Sequence, residues 1–297
     1  MIGAFVALLK RKPYVYNIRD MYPDMAVGGA IVEPGLLARI WEKLHRWALR
    51  RGACVIVLGE DMRARIIAKG GNSSRIEIVR DGAEIPPPNA PQPQLDPEVL
   101  HTIRGNFKFV LVHAGNVGFY GAWGTLIEGA KKLADDGIAL VFVGEGAQRA
   151  QLEAASRGSS NVRFLPFFPA SKIPSVLAAA DAHIITVKRG LEGVVVPSKM
   201  YGILAVGKPI VAVAPAETDA ASLGVQRGFG IATDPDNPEE FAVAVRALAA
   251  DVQKLKRMGE AALAAAPDYD RVKELQKFVQ IVGRFAPAEK IEEVRNA

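Results

Sequence analysis

A chain of 297 residues, 49% apolar and 23% charged, can bury two medium-sized cores and lies far from the charged, apolar-poor composition of disordered proteins. Its one cysteine, Cys54, excludes a disulfide framework and a cysteine-built zinc site and points to a reducing, cytoplasmic setting. The net charge of +5 is concentrated at one end: residues 1–90 hold 14 Lys/Arg against 9 Asp/Glu, while the remainder holds 23 of each, so this end meets either an anionic partner (phospholipid, phosphorylated substrate, nucleic acid) or only water.

In chain order, the opening MIGAFVALLKRKP carries its basic residues after the apolar run, the reverse of a signal peptide, and reads as the end of a buried helix. No stretch reaches the roughly 20 apolar residues needed to cross a bilayer. Val/Ile-rich runs at Tyr14–Ile18, Cys54–Leu58 and Ile76–Val79 predict strands, and amphipathic stretches at Leu36–Arg51 and Glu60–Lys69 predict the helices between them. Residues 1–90 thus read as an incomplete first domain. The run IPPPNAPQPQLDP (Ile85–Pro97) resists both helix and central strand, because its prolines lack amide donors, and reads as a linker.

Beyond the linker, strand Phe107–His113 runs into the glycine-rich GNVGFYGAWG and a helix over Thr125–Ala134. Strands are predicted at Ile138–Val143, Val162–Leu165, Ala182–Val187, Pro209–Val213 and Gly230–Thr233. Six strands suffice for a doubly wound parallel sheet over residues 91–266. From Pro238 the text is Ala-rich and helical, with a break at AAAPDYD, where Asp268 is placed to cap a helix over Asp270–Arg284. Residues 267–297 are expected to pack back toward the first domain. The fold class is α/β, with two Rossmann-like doubly wound parallel sheets, the first incomplete, whose strand ends face a shared cleft; function belongs at the βα loops bordering it.

Three stretches could bear chemistry. GNVGFYGAWG places Gly115, Gly118, Gly121 and Gly124 between a strand and a helix, where bare backbone and helix-end amides suit phosphate; a tight packing turn is the alternative. Val143–Ala147 mimics a nicotinamide-cofactor fingerprint but fails it, with Arg149 at the third glycine position and no acid after the next strand. Val187–Ala212 combines Glu192 on a glycine-flanked loop, Pro-Ser-Lys at a helix start and a Gly-Lys-Pro turn. Ser198 could simply cap that helix and Lys199 could be a surface cation; together they set a positive charge and free amides where a diphosphate could sit, beside a carboxylate able to grip sugar hydroxyls. His45, His101, His113 and His183 lack metal-site spacing. His113, beside Gly115, stands apart from the others, with packing in the core as its simpler role. Lys and Arg are not interleaved with aromatics in any nucleic-acid module, which argues against a nucleic-acid partner.

GLEGVVVPSK followed by YGILAVGKP resembles the donor site of family-4 retaining glycosyltransferases of the GT-B fold, in particular the bacterial branch that builds O-antigen, capsule and exopolysaccharide. YNIRDMYPD (Tyr16–Asp24), RIEIVRDGAEIPP, HAGNVG, FVGEG, NVRFLPF and AAADAHI are similar to that branch's text in the same order. The resemblance implies that Glu192 contacts the donor sugar, with Gly193 and Val194 on the same loop, and that Lys199, preceded by Ser198, neutralises the diphosphate leaving group. It implies further donor contacts from Gly115, Asn116 and Gly118, from Gly144, and from backbone between Leu165 and Phe167 around the nucleotide base, with Lys188 or Arg189 adding charge. Arg19 and Asp20 would face the acceptor.

The implied reaction moves a sugar from a nucleoside diphosphate to a hydroxyl with retention, needing no metal and no cofactor beyond the donor substrate. The implied acceptor is a saccharide, typically lipid-linked, at the inner-membrane surface, so the chain would be cytoplasmic with a peripheral membrane place. The sequence departs from the family pattern at Gly202, where a second glutamate is usual, and at Asp81-Gly82, where Asn-Gly is usual. It also lacks roughly a hundred residues of first-domain sheet before Met1, which implies an exposed sheet edge and either a late start, a split gene or a separate chain supplying that half. A non-catalytic or partner-dependent nucleotide-sugar-binding subunit is the alternative function.

Overall fold

The computed structural model describes residues 2–29, 31–87 and 93–285. The chain forms two compact units, one of residues up to Gly82 with Gly193–Val196 and the stretch from Tyr269 onward, the other of Ala83–Glu192 and Pro197–Asp268. Residues 88–92 of the linker and 286–297 of the terminal segment lie outside the described residues.

The first unit runs α1 (Ile2–Leu9), β1 (Val15–Asn17), α2 (Asp24–Gly28), α3 (Leu36–Arg51), β2 (Cys54–Val57), α4 (Glu60–Ala68) and β3 (Ile76–Ile78), its strands forming a parallel sheet in the order β1-β2-β3. The helix predicted at the N-terminus forms, but it is not buried: Ala4 is its only buried residue, and Ile2 and Leu9 are 85% and 69% exposed. A helix apolar on nearly every side is expected to be buried, and α1 instead leaves Ile2, Phe5, Leu8 and Leu9 exposed. The centre of this unit is held by ions as well as by apolar packing. The nearly buried Lys69 reaches Asp24 and Glu42, each at 2.7 Å, and Arg65 donates to Asp24 at 2.9 Å. Burial would raise the Asp24 carboxyl, but the hydrogen bonds from Lys69 and Arg65 outweigh it and hold it below its usual value.

The second unit runs α5 (Pro97–Arg104), β4 (Phe109–Ala114), α6 (Trp123–Lys131), β5 (Ile138–Val143), α7 (Arg149–Ala155), β6 (Val162–Leu165), α8 (Ile173–Ala179), β7 (Ala182–Thr186), α9 (Lys199–Ala205), β8 (Ile210–Val213), α10 (Asp219–Gln226), β9 (Gly230–Thr233), α11 (Pro238–Ala250) and α12 (Val252–Ala265). Its six strands are parallel in the order β6-β5-β4-β7-β8-β9. Period-two alternation buries both faces. Phe109, Leu111, Ile138, Leu140 and Phe142 pack with Trp123, Leu126 and Phe241, while Val110, Val112, Ala139, Val141 and Val143 pack with Val99, Ile103 and Val176.

The linker ends in a helix not foreseen from its prolines: Asp96 accepts from the Glu98 and Val99 amides, and Pro97 sits where no amide donor is needed. The Ala-rich tail is two helices, because Asp251 caps α12 by accepting from the Lys254 amide. A last helix, α13 (Arg271–Gly283), belongs to the first unit, where Ile281 joins Cys54, Ile56 and Val79 in the core and Glu274 accepts from the Arg80 amide at 2.8 Å. Its cap is Asp270, which accepts from the Val272 amide; Asp268, expected in that role, instead pairs with Arg227 at 2.7 Å.

Candidate functional site

In the second unit the chain leaves β4 toward β5 and β6 on one side and returns through β7, β8 and β9 on the other. The carboxyl ends of β4 and β7 therefore bound the switch point at which an open parallel sheet leaves a crevice for ligand. His113 and Ala114 end β4, and Gly115 follows them; the loop after β7 leads to Lys199, the first residue of α9.

The loop after β4 is built for backbone proximity. Gly144 has φ +146°, and a methyl group there would lie 2.2 Å from the Gly115 carbonyl oxygen and 3.1 Å from the Phe167 ring. The loops after β4 and β5 are thus pressed backbone to backbone, a contact only glycine permits. Tyr120 donates to the Asn116 carbonyl, and the Trp123 indole donates to the Gly118 carbonyl at 2.6 Å. Thr186, at the end of β7, accepts from the Ala122 amide at 3.0 Å and so anchors the start of α6. Arg149 ties the Gly144 carbonyl, at 2.7 Å, to Glu145 and to the Leu165 carbonyl.

Lys199 Nζ stands 3.1 Å from Nε2 and 3.4 Å from Nδ1 of His113, and a methyl group at Gly115 would come within 3.2 Å of it. Among the described residues, the His113 ring is the side chain that meets this ammonium. Desolvation lowers Lys199 to about 7. His113 is fully buried, edge-on to Trp123 at 4.9 Å, and burial first, then Lys199, holds it well below the usual imidazole range.

The other expected site residues fall in several places. Asn116 and Gly118 lie on the loop after β4, Gly144 on that after β5, Leu165 ends β6 and Phe167 follows it with its ring exposed, while Lys199 starts α9. The Leu165 carbonyl is occupied by the Gly144 amide at 2.9 Å. Ser198 precedes α9 but its side chain caps nothing. Arg189 is held by Asp234, with both oxygens at 2.8 Å, and by Asp236 at 2.6 Å, so its charge is already matched. Glu192 accepts from the Gly190 amide at 2.8 Å.

Gly193 and Val194 group with the first unit. A methyl at Gly193 would lie 2.3 Å from the Asp61 carbonyl oxygen, and the Val194 carbonyl accepts from the Met21 amide at 3.2 Å. Arg19 and Asp20 follow β1 in the same unit; both are exposed, and Arg19 pairs with Asp81. Arg149 was noted from sequence only as a break in a cofactor fingerprint, and Thr186 was not singled out. Glu145 and Glu153, four residues either side of Arg149, were the visible signal for the first; nothing local marked the second. Among the described residues, no group of three or more His, Cys, Asp or Glu is arranged to hold a metal ion.

Residues 108–251 match the family model described as Glycosyl transferases group 1, and residues 1–82 match that described as Glycosyl transferase 4-like domain. The chain is 28% identical over 243 residues to the Escherichia coli K12 protein named as the colanic acid biosynthesis glycosyl transferase WcaI, covering 78% of this chain and 59% of that one. It is 23% identical over 235 residues to the Pseudomonas aeruginosa protein named as the glycosyltransferase WbjE, covering 77% and 58%. It therefore spans somewhat over half the length of these relatives. Among solved structures, Anabaena HepE in complex with UDP-glucose matches with a TM-score of 0.73 at 22% identity, over 95% of this chain and 75% of that one. The fold is thus of the GT-B type, with the stretch similar to the 4-like model in the first unit and most of the stretch similar to the group 1 model in the second.

Proposed function

We propose that the second unit binds the donor of a transferase that moves a sugar from a nucleoside diphosphate sugar to a hydroxyl with retention at the anomeric carbon, in the synthesis of a cell-surface polysaccharide. The observation that carries this is the Lys199 ammonium at the β4/β7 switch point, against the bare backbone of Gly115. As the bond between anomeric carbon and diphosphate oxygen breaks, negative charge builds on the leaving group. Lys199 and the loop amides of Asn116 and Gly118 stabilise it, those of Gly115 and Val117 being donated to the Val143 and Glu145 carbonyls, so no metal is invoked. The acceptor oxygen forms the new bond, and its proton passes to the leaving phosphate. Glu192 grips the sugar hydroxyls, and the exposed Phe167 ring offers the base a face to stack on.

Arg19 and Asp20 are assigned to the acceptor. A lipid-linked saccharide at the cytoplasmic face of the inner membrane suits the first unit, where α3 exposes Leu36, Leu37, Ile40 and Leu44 beside Arg39, Lys43 and Arg50. An apolar stripe flanked by cations fits a surface of anionic lipid. No helix among the described residues is long and apolar enough to cross a membrane.

Thermal shift with UDP, GDP, ADP and their sugar conjugates, in the presence of a chelator, tests the donor site, because a ligand of the native state raises its midpoint. One nucleotide series stabilises the wild type. Lys199→Ala loses that shift, whereas Glu192→Ala keeps it for the bare nucleotide and loses part of it for the conjugate. Equal shifts for wild type and Lys199→Ala remove the lysine from the site. Donor binding without transfer to a lipid diphosphate acceptor favours a binding subunit completed by a separate chain.

A further inference from the structure

The Lys199–His113 contact has a chemistry of its own. Nζ lies at near-equal distances from both ring nitrogens, 3.1 Å and 3.4 Å, which puts the ammonium over the face of the fully buried ring, and two positive charges this close repel, so the pair holds at most one. The ring is fixed by its packing on Trp123 and Phe142 and by backbone hydrogen bonding at Asn116 and Ile184, so it can orient the ammonium. We propose that His113 is a positioning residue for Lys199: its uncharged ring seats the ammonium against its face, and the pair gains a proton when the diphosphate of a sugar nucleotide docks at the ends of β4 and β7.

This rests on the donor-site proposal above and adds a proton inventory to it. With Lys199 lowered to about 7 by desolvation, the ligand-free site is short of charge above neutrality. An arriving dianion favours the ammonium, so uptake occurs above pH 7 and vanishes below it. The titratable groups around the pair leave this window clear. His183 on β7 is lowered to about 4 and stays neutral, and Tyr120, behind Trp123, is raised to about 12. Arg189 is matched by Asp234 and Asp236, and Glu192 accepts from the Gly190 amide.

Calorimetric titration with UDP-glucose, GDP-glucose and ADP-glucose, whose diphosphate diesters do not titrate near neutrality, in buffers of different ionisation heat, counts the protons. The bound donor takes up about one proton at about pH 8 and close to none at about pH 6, and its affinity falls about tenfold per pH unit above 7. Lys199→Arg abolishes uptake, because a guanidinium is always charged. His113→Phe, which keeps an aromatic face, binds the donor better than His113→Leu, with both variants checked for an unchanged melting profile. Affinity independent of pH with no uptake by the wild type, or His113→Leu indistinguishable from it, overturns the proposal. Should none of the three sugar nucleotides bind, the donor-site reading fails, and acylation of Lys199 in the ligand-free protein judges the pair alone. Half-reaction near pH 7 upholds it, and half-reaction near pH 10, as for an ordinary surface lysine, overturns it.

Discussion

The two units use one architecture to opposite ends. In the second, β5, β7 and β8 are buried at every residue, helices cover both faces of six strands, and the proposed donor site lies where the strand order reverses. In the first, three strands carry a core completed by α13, while α1 and the outer face of α3 hold Leu, Ile and Phe against water. A sheet buried on both faces tolerates a strained glycine loop because the surrounding packing holds it in place. A sheet with uncovered helices relies more on local ion pairs, as with Lys69 between Asp24 and Glu42. The lesson is that the close backbone packing lies at the proposed donor site, and the uncovered apolar surface lies on the unit proposed to meet lipid.

The difference can be tested first by breaking the rigid unit. Gly144→Ala forces a methyl to within 2.2 Å of the Gly115 carbonyl at φ +146°, and should cost the second unit about 1–3 kcal/mol or more. Segment-resolved hydrogen exchange should show β4 and β5 amides losing protection while β2 amides keep theirs, with nucleotide binding abolished. Uniform loss in both units would mean that they do not unfold separately.

A comparable effect should come from acid. His183 is fully buried, donates from Nε2 to the Leu177 carbonyl at 2.9 Å, and is lowered from 6.5 to about 4, mainly by burial. The unfolded chain therefore binds the extra proton between these values. The stabilisation is complete above pH 6.5 and is lost as pH falls toward 4, on the order of 3 kcal/mol in all. Urea titrations across that window should show the slope for the wild type and a shallower one for His183→Phe; equal slopes would remove His183 from the account.

The smallest effect on stability belongs to the exposed stripe. Leu37, 80% exposed, should accept Ser with a change within about 0.5 kcal/mol. Leu37→Ser combined with Ile40→Ser should nevertheless lower sedimentation with vesicles containing anionic lipid, and unchanged sedimentation would count against a lipid role for α3.

Much of this organisation was legible beforehand. Ile138–Val143, Val162–Leu165 and Gly230–Thr233 were predicted to the residue: the first because a parallel strand buried on both faces is a continuous apolar run, the other two, half-buried at the sheet edges, because turn residues bound short apolar-rich runs. The α3 helix was equally plain from its amphipathic period. What misled was local composition without its surroundings. The apolar α1 lies exposed, the proline run hid the cap that starts α5, and Asp268 offered the same capping chemistry as Asp270 but lies two residues too early.

The sequence by itself determined which stretches become strands, which become helices, and which loops carry glycine, lysine and glutamate, since those properties depend on neighbours a few residues away. Only the tertiary structure decided that Lys199 meets a histidine 86 residues earlier, that Gly144 must be bare because Gly115 lies against it, and that Arg189 spends its charge on Asp234 and Asp236. Such contacts follow from the order in which strands are laid side by side. Burial then sets the protonation of whatever that order encloses, and neither quantity is written in any single stretch of the chain.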